Sequence, residues 1–373
     1  MPTARRFTLR KAITAIRFAV TPIASWPLSV ETKTTVFLMY NTFWFISIIH
    51  LMVAATAWIY TIQLNRNDLE RIIKVSGELF GIASAVLKMI ISKSQTSRLQ
   101  ILLAEMEMFL RDATSDELEL LQLYVNKLVT FHGTIYVASF VGPMCFIVEP
   151  VISSQPLPLT ATYPFSIEPT WIHVTLWISQ IIILFQVGSM LVLNMMYAML
   201  LWYTGARFEM LCIQFQNAKN ENDIRRCIQK HQELLNYSSK LRASIRRMAV
   251  IVFGLAIMAA TNGGFILTQH PPWYVLAKYA LFEFGAGVQV FIYAWPSDNL
   301  MGMSLKVGYS AYASSWVGKT PKMQKNIRIV IQRSNIPLTI SITGILPTLS
   351  LELAATCVTA CFSYITTLHA FVG

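Results

Sequence analysis

Seven stretches of this chain are apolar over more than the ~20 residues a helix needs to cross a bilayer. That pattern excludes most soluble architectures. The stretches run at about 34–62, 69–91, 118–152, 170–203, 247–269, 273–297 and 344–371. A backbone in hydrocarbon must satisfy its own hydrogen bonds, so seven such runs read as seven helices. Composition agrees: 54% of the 373 residues are hydrophobic and 13% charged, where soluble domains carry about 25% charge. The expected fold is an all-α membrane protein with seven transmembrane helices.

Charge sets the expected orientation, because lysine and arginine collect in cytoplasmic loops. Residues 1–33 hold six of them, 92–117 three, 204–247 nine and 298–343 six, whereas the loops on the other side hold only Arg66. This predicts a cytoplasmic N-terminus and, after seven crossings, an extracellular C-terminus. The first run, behind a basic segment, is too long for a signal-peptide core and is expected to stay as the first span. G-protein-coupled receptors have the opposite polarity. The chain also lacks an Asp-Arg-Tyr near its third span and an Asn-Pro-x-x-Tyr in its seventh. A net charge of +11 could suggest nucleic acid, but the basic residues lie in loops between apolar spans. No nucleic-acid partner is expected.

The segments divide accordingly. Residues 1–33 read as a cytoplasmic arm with about one amphipathic turn at the membrane surface, broken by Pro22 and Pro27. Spans one to four occupy 34–203, with Gly142-Pro143 placed to kink the third. The segment 204–246 is polar and helix-compatible, spans five and six occupy 247–297, and 298–343 is again basic and helix-compatible. A proline-rich loop, 153–169, precedes the fourth span. Ionisable residues at membrane depth are costly enough to imply a role or a partner; Glu78, Lys88 and Glu283 are of this kind, and Lys74 lies one turn from Glu78.

Enzyme chemistry finds no foothold. The six histidines are scattered without metal-ligand spacing, and neither a nucleophile elbow nor a phosphate loop is present. No cofactor or metal is expected. Cys145, Cys212, Cys227, Cys357 and Cys361 give no disulfide framework and read as free thiols.

The last stretch, 344–373, breaks its own apolarity on one face. Glu352, Thr356, Thr359, Ser363, Thr366/Thr367 and Ala370 recur at steps of three or four, stacking small and hydroxyl side chains in one stripe above an acid. Spacing alone leaves two readings open. One is close helix–helix packing through small residues. The other is a wall facing water, as an ion path is when several copies ring an axis.

Ser363-Tyr364 followed by ITTLHAF resembles the terminal signature of insect odorant receptors. The approach to it, YAWPSDNL (293–300), AYASSW (311–316), RIVIQRSNIPLTI (328–340) and LPTLSLE (346–352), matches in order over about eighty residues. The resemblance implies an odorant-gated, non-selective cation channel in which the last helix of each subunit lines the pore. The seventh helix would split, and its cytoplasmic part, near Pro321 to Asn335, would join 204–246 in an anchor where subunits meet. The narrowest point would fall at Thr367, Ala370 and Phe371; Glu352, nearer the cytoplasm, would either concentrate cations in the lower vestibule or pair with an Arg or Lys of the anchor.

With this topology the outer half of the bundle offers Ser76, Leu79 and Phe80; Ser139, Gly142, Met144 and Phe146; Trp177 and Ile181; and Tyr279, Phe282 and Glu283. Such aromatic and aliphatic walls suit a small volatile; for any one of these residues, ordinary bundle packing is the competing reading. Family co-receptors have a longer loop between spans four and five, so this chain resembles the ligand-specific subunit that pairs with a co-receptor. A tetramer, in the dendritic plasma membrane of an olfactory neuron, follows from the same resemblance. Many members carry Gly-Glu or Gly-Asn at the position of Ser297-Asp298-Asn299, so contacts there are expected to differ. The alternatives are a gustatory receptor, whose signature runs Thr-Tyr to Gln-Phe, and a secondary transporter, whose internal repeats are not evident here.

Overall fold

The computed structural model describes residues 7–29, 31–152, 155–268, 273–342, 344–345 and 347–372. Among them run ten α-helices: α1 (Leu9–Val20), α2 (Thr34–Leu64), α3 (Leu69–Ser94), α4 (Thr96–Asp112), α5 (Ser115–Ile152), α6 (Thr170–Asn217), α7 (Glu221–Thr268), α8 (Trp273–Tyr312), α9 (Pro321–Ser334) and α10 (Leu351–Val372). Among the described residues, α2, α3, α5, α6 and α7 are long and apolar enough to cross a membrane, and α10 adds the apolar stretch Leu351–Tyr364. With the 40-residue α8 these are the seven apolar runs of the sequence.

Where helices stop follows from caps, prolines and turns. Asp68 accepts a hydrogen bond from the Arg71 amide at 3.0 Å and starts α3. Pro169 precedes α6. Thr320 caps α9 with Pro321 in its first turn. Hydropathy marks the edge of the hydrocarbon instead, so three helices run straight past the limits that polarity suggested. α6 continues to Asn217, α7 begins at Glu221 in the basic segment and continues through the fifth span, and α8 continues to Tyr312. No proline occurs in 202–217 of α6 or in 221–248 of α7, so nothing ends either helix where its side chains turn polar.

α6 is the axis of the fold. Every residue from Val192 to Ala206 is buried, and α8, α5, α7, α1 and α3 all pack against this helix. One close approach fixes its register. Pro143 of α5 has no N–H, so the Ser139 carbonyl four residues earlier loses its intrahelical partner. α6 meets that carbonyl with Gly188, where an added Cβ would overlap the Ser139 oxygen. The N-terminal arm is also better ordered than one surface turn. α1 makes three turns, buries Ile13, Ile16, Ala19 and Val20 and packs on α6 and α5. Its apolar spacing finds protein rather than lipid to cover it.

The proline-rich loop folds inward. Leu157 and Leu159 are buried, and the Leu159 amide donates to Gln180 Oε1 at 2.8 Å. Glu78 gathers three donors on a single carboxylate oxygen: Trp58 Nε1 at 2.8 Å, the Thr160 amide at 3.0 Å and Thr160 Oγ1 at 2.8 Å. The acid that looked costly in the sequence thus ties α2, α3 and the loop together.

Candidate functional site

α10 has two unlike faces. Leu353, Ala354, Cys357 and Cys361 turn toward the bundle, where α7 and α8 cover them. Glu352, Thr356, Thr359, Ser363 and Thr367 all lie on the opposite side and are exposed. Each described threonine hydroxyl of the stripe donates back into its own helix: Thr356 to Glu352 O at 2.9 Å, Thr359 to Ala355 O at 3.0 Å and Thr367 to Ser363 O at 2.7 Å. The hydroxyl hydrogens are used, so the oxygen lone pairs face outward in a row. A row of outward lone pairs above one carboxylate suits weak contact with cations. Ala370 and Phe371 belong to the last turn of α10, but their side chains lie outside the described residues.

The start of α10 is set by Ser350 and by the Ser297-Asp298-Asn299 segment of α8. Ser350 accepts from the Leu353 amide at 3.2 Å, and Asp298 of α8 accepts from the Leu351 amide at 3.4 Å. A carboxylate at a helix N-terminus meets both the free amides and the positive end of the dipole. Ser297-Asp298-Asn299 therefore joins α8 to the foot of α10, a contact the sequence pattern did not reveal.

The candidate pocket residues occupy four helices. Ser76, Leu79 and Phe80 are half-buried on α3, with the Ser76 hydroxyl donating to Ile72 O. On α5, Ser139 is buried, its hydroxyl donates to Ile135 O at 2.8 Å, and its carbonyl abuts Gly188. Gly142 and Phe146 are half-buried and Met144 is exposed on the same helix. Trp177 and Ile181 are half-buried on α6. Tyr279 and Phe282 belong to α8, but their side chains lie outside the described residues. α6 packs with α3, α5 and α8, so all four helices of the set meet around it. Two crevices elsewhere, one lined by Ala24, Tyr40 and Lys93 and the other by Glu117, Arg207 and Lys230, share no residue with the set.

Glu283 is the candidate with the most informative surroundings. Its side chain lies flat against Gly263 of α7, where an added Cβ would come within 2.7 Å of the glutamate Cγ. It also lies within electrostatic range of Cys361 on the inward face of α10. One acid thus sits where α7, α8 and α10 meet, beside the helix that carries the hydroxyl stripe.

Deeper in the bundle is a polar network that inspection of single residues missed. Lys88 is 2% exposed; its ammonium donates to Gln289 Oε1 at 2.6 Å. The same oxygen accepts from Asn194 Nδ2 at 3.2 Å, and Asn194 Oδ1 accepts from the Tyr293 hydroxyl at 3.0 Å. The signal was present as Asn194 in the fourth span, which also holds Gln180 and Gln186, and Gln289 in the sixth, since a polar residue in an apolar run needs a partner. The helices it would join could not be read without the packing.

These features define a multi-pass helical membrane protein with one exposed, polar-striped helix at the edge of its bundle. A family model described as 7tm Odorant receptor matches residues 68–362, and the chain belongs to that family of insect odorant receptors. It is similar to Odorant receptor 10 of Aedes albopictus, at 23% identity over 157 residues, 41% of each chain. It is also similar to Odorant receptor Or2 of Anopheles gambiae, at 20% identity over 150 residues, 39% of each. The matched stretches thus span about two fifths of these relatives. The insect olfactory receptor OR5 from Machilis hrabei, solved in complex with eugenol, shares the fold at a TM-score of 0.82, with 13% identity, covering 96% of this chain and 98% of that one. A second structure of the same receptor gives a TM-score of 0.83.

Proposed function

We propose that this chain is the ligand-specific subunit of a heteromeric odorant-gated cation channel, with a co-receptor as its partner and α10 as its contribution to the pore. The observation that carries this reading is the exposed stripe of Glu352, Thr356, Thr359, Ser363 and Thr367, left uncovered by the chain's own bundle. A membrane helix that exposes hydroxyls and a carboxylate needs water or another subunit beside it. An axis ringed by such helices supplies both. Charge bias supports a cytoplasmic N-terminus and an extracellular C-terminus, in the plasma membrane.

On this reading a small volatile binds among α3, α5, α6 and α8 in the outer half of the bundle. Glu283 and Gly263 lie between that region and α10. A ligand that prefers one arrangement of this junction shifts the population of pore conformations by its difference in affinity. Ala370 and Phe371, with Thr367, form the gate by apolar narrowing.

The test is whole-cell current in a heterologous cell expressing the chain alone and with a co-receptor, against a broad panel of volatiles. An inward cation current that needs both chains, with permeability altered by Glu352→Gln or Phe371→Ala, supports the proposal. Substrate-dependent uptake by this chain alone would sink it in favour of a transporter.

A further inference from the structure

Below its apolar stretch, α7 carries Arg242 and Arg246 one turn apart on one face, and α9, which packs on α7, carries Arg333 near its end. The charges of Arg246 and Arg333 both lie close enough to Arg242 to repel it. Among the described residues no carboxylate stands within ion-pair distance of any of the three. The Nε atoms of Arg242 and Arg246 are moreover buried and without a hydrogen-bond partner. Two neighbouring guanidiniums with buried, unused Nε donors are costly unless an anion completes them; exposed Arg333 spends its Nη1 on the Ile336 carbonyl at 3.3 Å and adds its charge.

Three details say which anion. A guanidinium presents a planar fork of N–H donors that matches phosphate oxygens two at a time. Arg246 lies two residues before Met248, where the apolar run of the fifth span begins, which places this arginine near the depth of lipid phosphates. α9 adds Lys322, Lys325 and Arg328 and no acid, so the surrounding field is positive and draws anions from the inner leaflet. We propose that Arg242, Arg246 and Arg333 form a site for a phosphomonoester, carried by the headgroup of an acidic phospholipid on the cytoplasmic side. This rests on the reading that the basic segments are cytoplasmic. An occupant would tie α7 to α9, and α9 leads through residues 335–350 into α10, so the site would steady the approach to the striped helix.

The full-length chain is reconstituted in phosphatidylcholine nanodiscs with and without a phosphatidylinositol bisphosphate. Retained lipid is measured by native mass spectrometry, and Tm is recorded in parallel. Both leaflets of a nanodisc hold the lipid, so a reversed topology would not hide binding. The expected result is lipid retention with a raised Tm. Arg242→Gln with Arg246→Gln should weaken retention about tenfold, while Arg66→Gln, at an exposed residue between α2 and α3, leaves it unchanged. Arg333 is exposed, so Arg333→Gln folds whether or not the double variant does, and it should weaken retention by about threefold. Soluble inositol trisphosphate and inorganic phosphate are added as competitors. If either displaces the lipid at equal affinity, the phosphate site stands and its natural occupant is a soluble phosphate. The proposal is overturned if the wild type holds no phosphate compound in any arm, or if the arginine variants retain lipid like the wild type. It is equally overturned if the arginine variants lose only assembly with a partner subunit, since the cluster would then meet a partner's acid.

Discussion

α6 and α10 are both apolar helices, yet the fold treats them in opposite ways. α6 is covered on all sides from Val192 to Ala206, while α10 rests on α7 and α8 by a narrow face and leaves its polar stripe uncovered. On α6 the Asn194 amide is satisfied inside the chain, through Gln289 and Tyr293. Along α10 the hydroxyls use their hydrogens on the backbone and keep their lone pairs outward. A helix whose polar atoms are closed within the monomer holds the fold together. One whose polar atoms point away from it is left to interact with other molecules.

The contrast is broken most severely by stranding the buried charge. Gln289→Leu removes the acceptor of the Lys88 ammonium and should cost about 3 kcal/mol, read as a fall in Tm in detergent. Lys88→Met with Gln289→Leu should recover most of that loss, because an apolar pair of similar volume buries no unpaired charge. A double variant as unstable as Gln289→Leu alone would show that the cost comes from packing or from the Asn194 amide, which loses the same acceptor.

The covered helix also carries a pH dependence at its lower end. Phe208 of α6 meets His231 of α7 edge-on with ring centroids 6.5 Å apart, about 24 Å of helix below the fifth span. Burial, and then the charge of Arg333, push the His231 pKa from its ordinary 6.5 down to about 4. The unfolded chain therefore takes up a proton that the folded one refuses. Stability is fully present above pH 6.5 and falls as pH drops from there toward 4, by up to about 3 kcal/mol. His231→Phe should flatten that part of the Tm profile, and an unchanged profile would remove His231 as its source.

Smaller effects sharpen the comparison. Gly188→Ala pushes a Cβ into the Ser139 carbonyl and should cost about 1–3 kcal/mol, with reduced surface expression. Thr359→Val and Glu352→Gln on α10 should each change Tm by no more than about 0.5 kcal/mol equivalent. They should alter relative cation permeability in whole-cell recordings while leaving expression intact. A stripe variant that destabilised the chain as much as Gly188→Ala would make α10 a packing helix.

Much of this was legible in the residues. Apolar length gave the seven helices, because hydrocarbon permits few other backbones, and the step of three and four on α10 gave the stripe. The break between α9 and α10 came only from the resemblance to odorant receptors and not from the spacing of apolar residues. Helix ends were not, because water begins where side chains turn polar and α6, α7 and α8 continue regardless. The candidate pocket was readable as residue types on four helices. Glu283 shows what that reading lacks, since its place against Gly263 and near Cys361 depends on how α7, α8 and α10 cross.

By itself, then, the sequence determined the solvent in which each stretch would lie, because transfer to hydrocarbon is a property of each stretch and needs no knowledge of its neighbours. Tertiary structure alone decided which polar atoms would meet. Lys88 finds Gln289 across 201 positions, and Asp298 finds the foot of α10 across 53. A hydrogen bond forms over about 3 Å, and only the packed helices bring such distant residues that close.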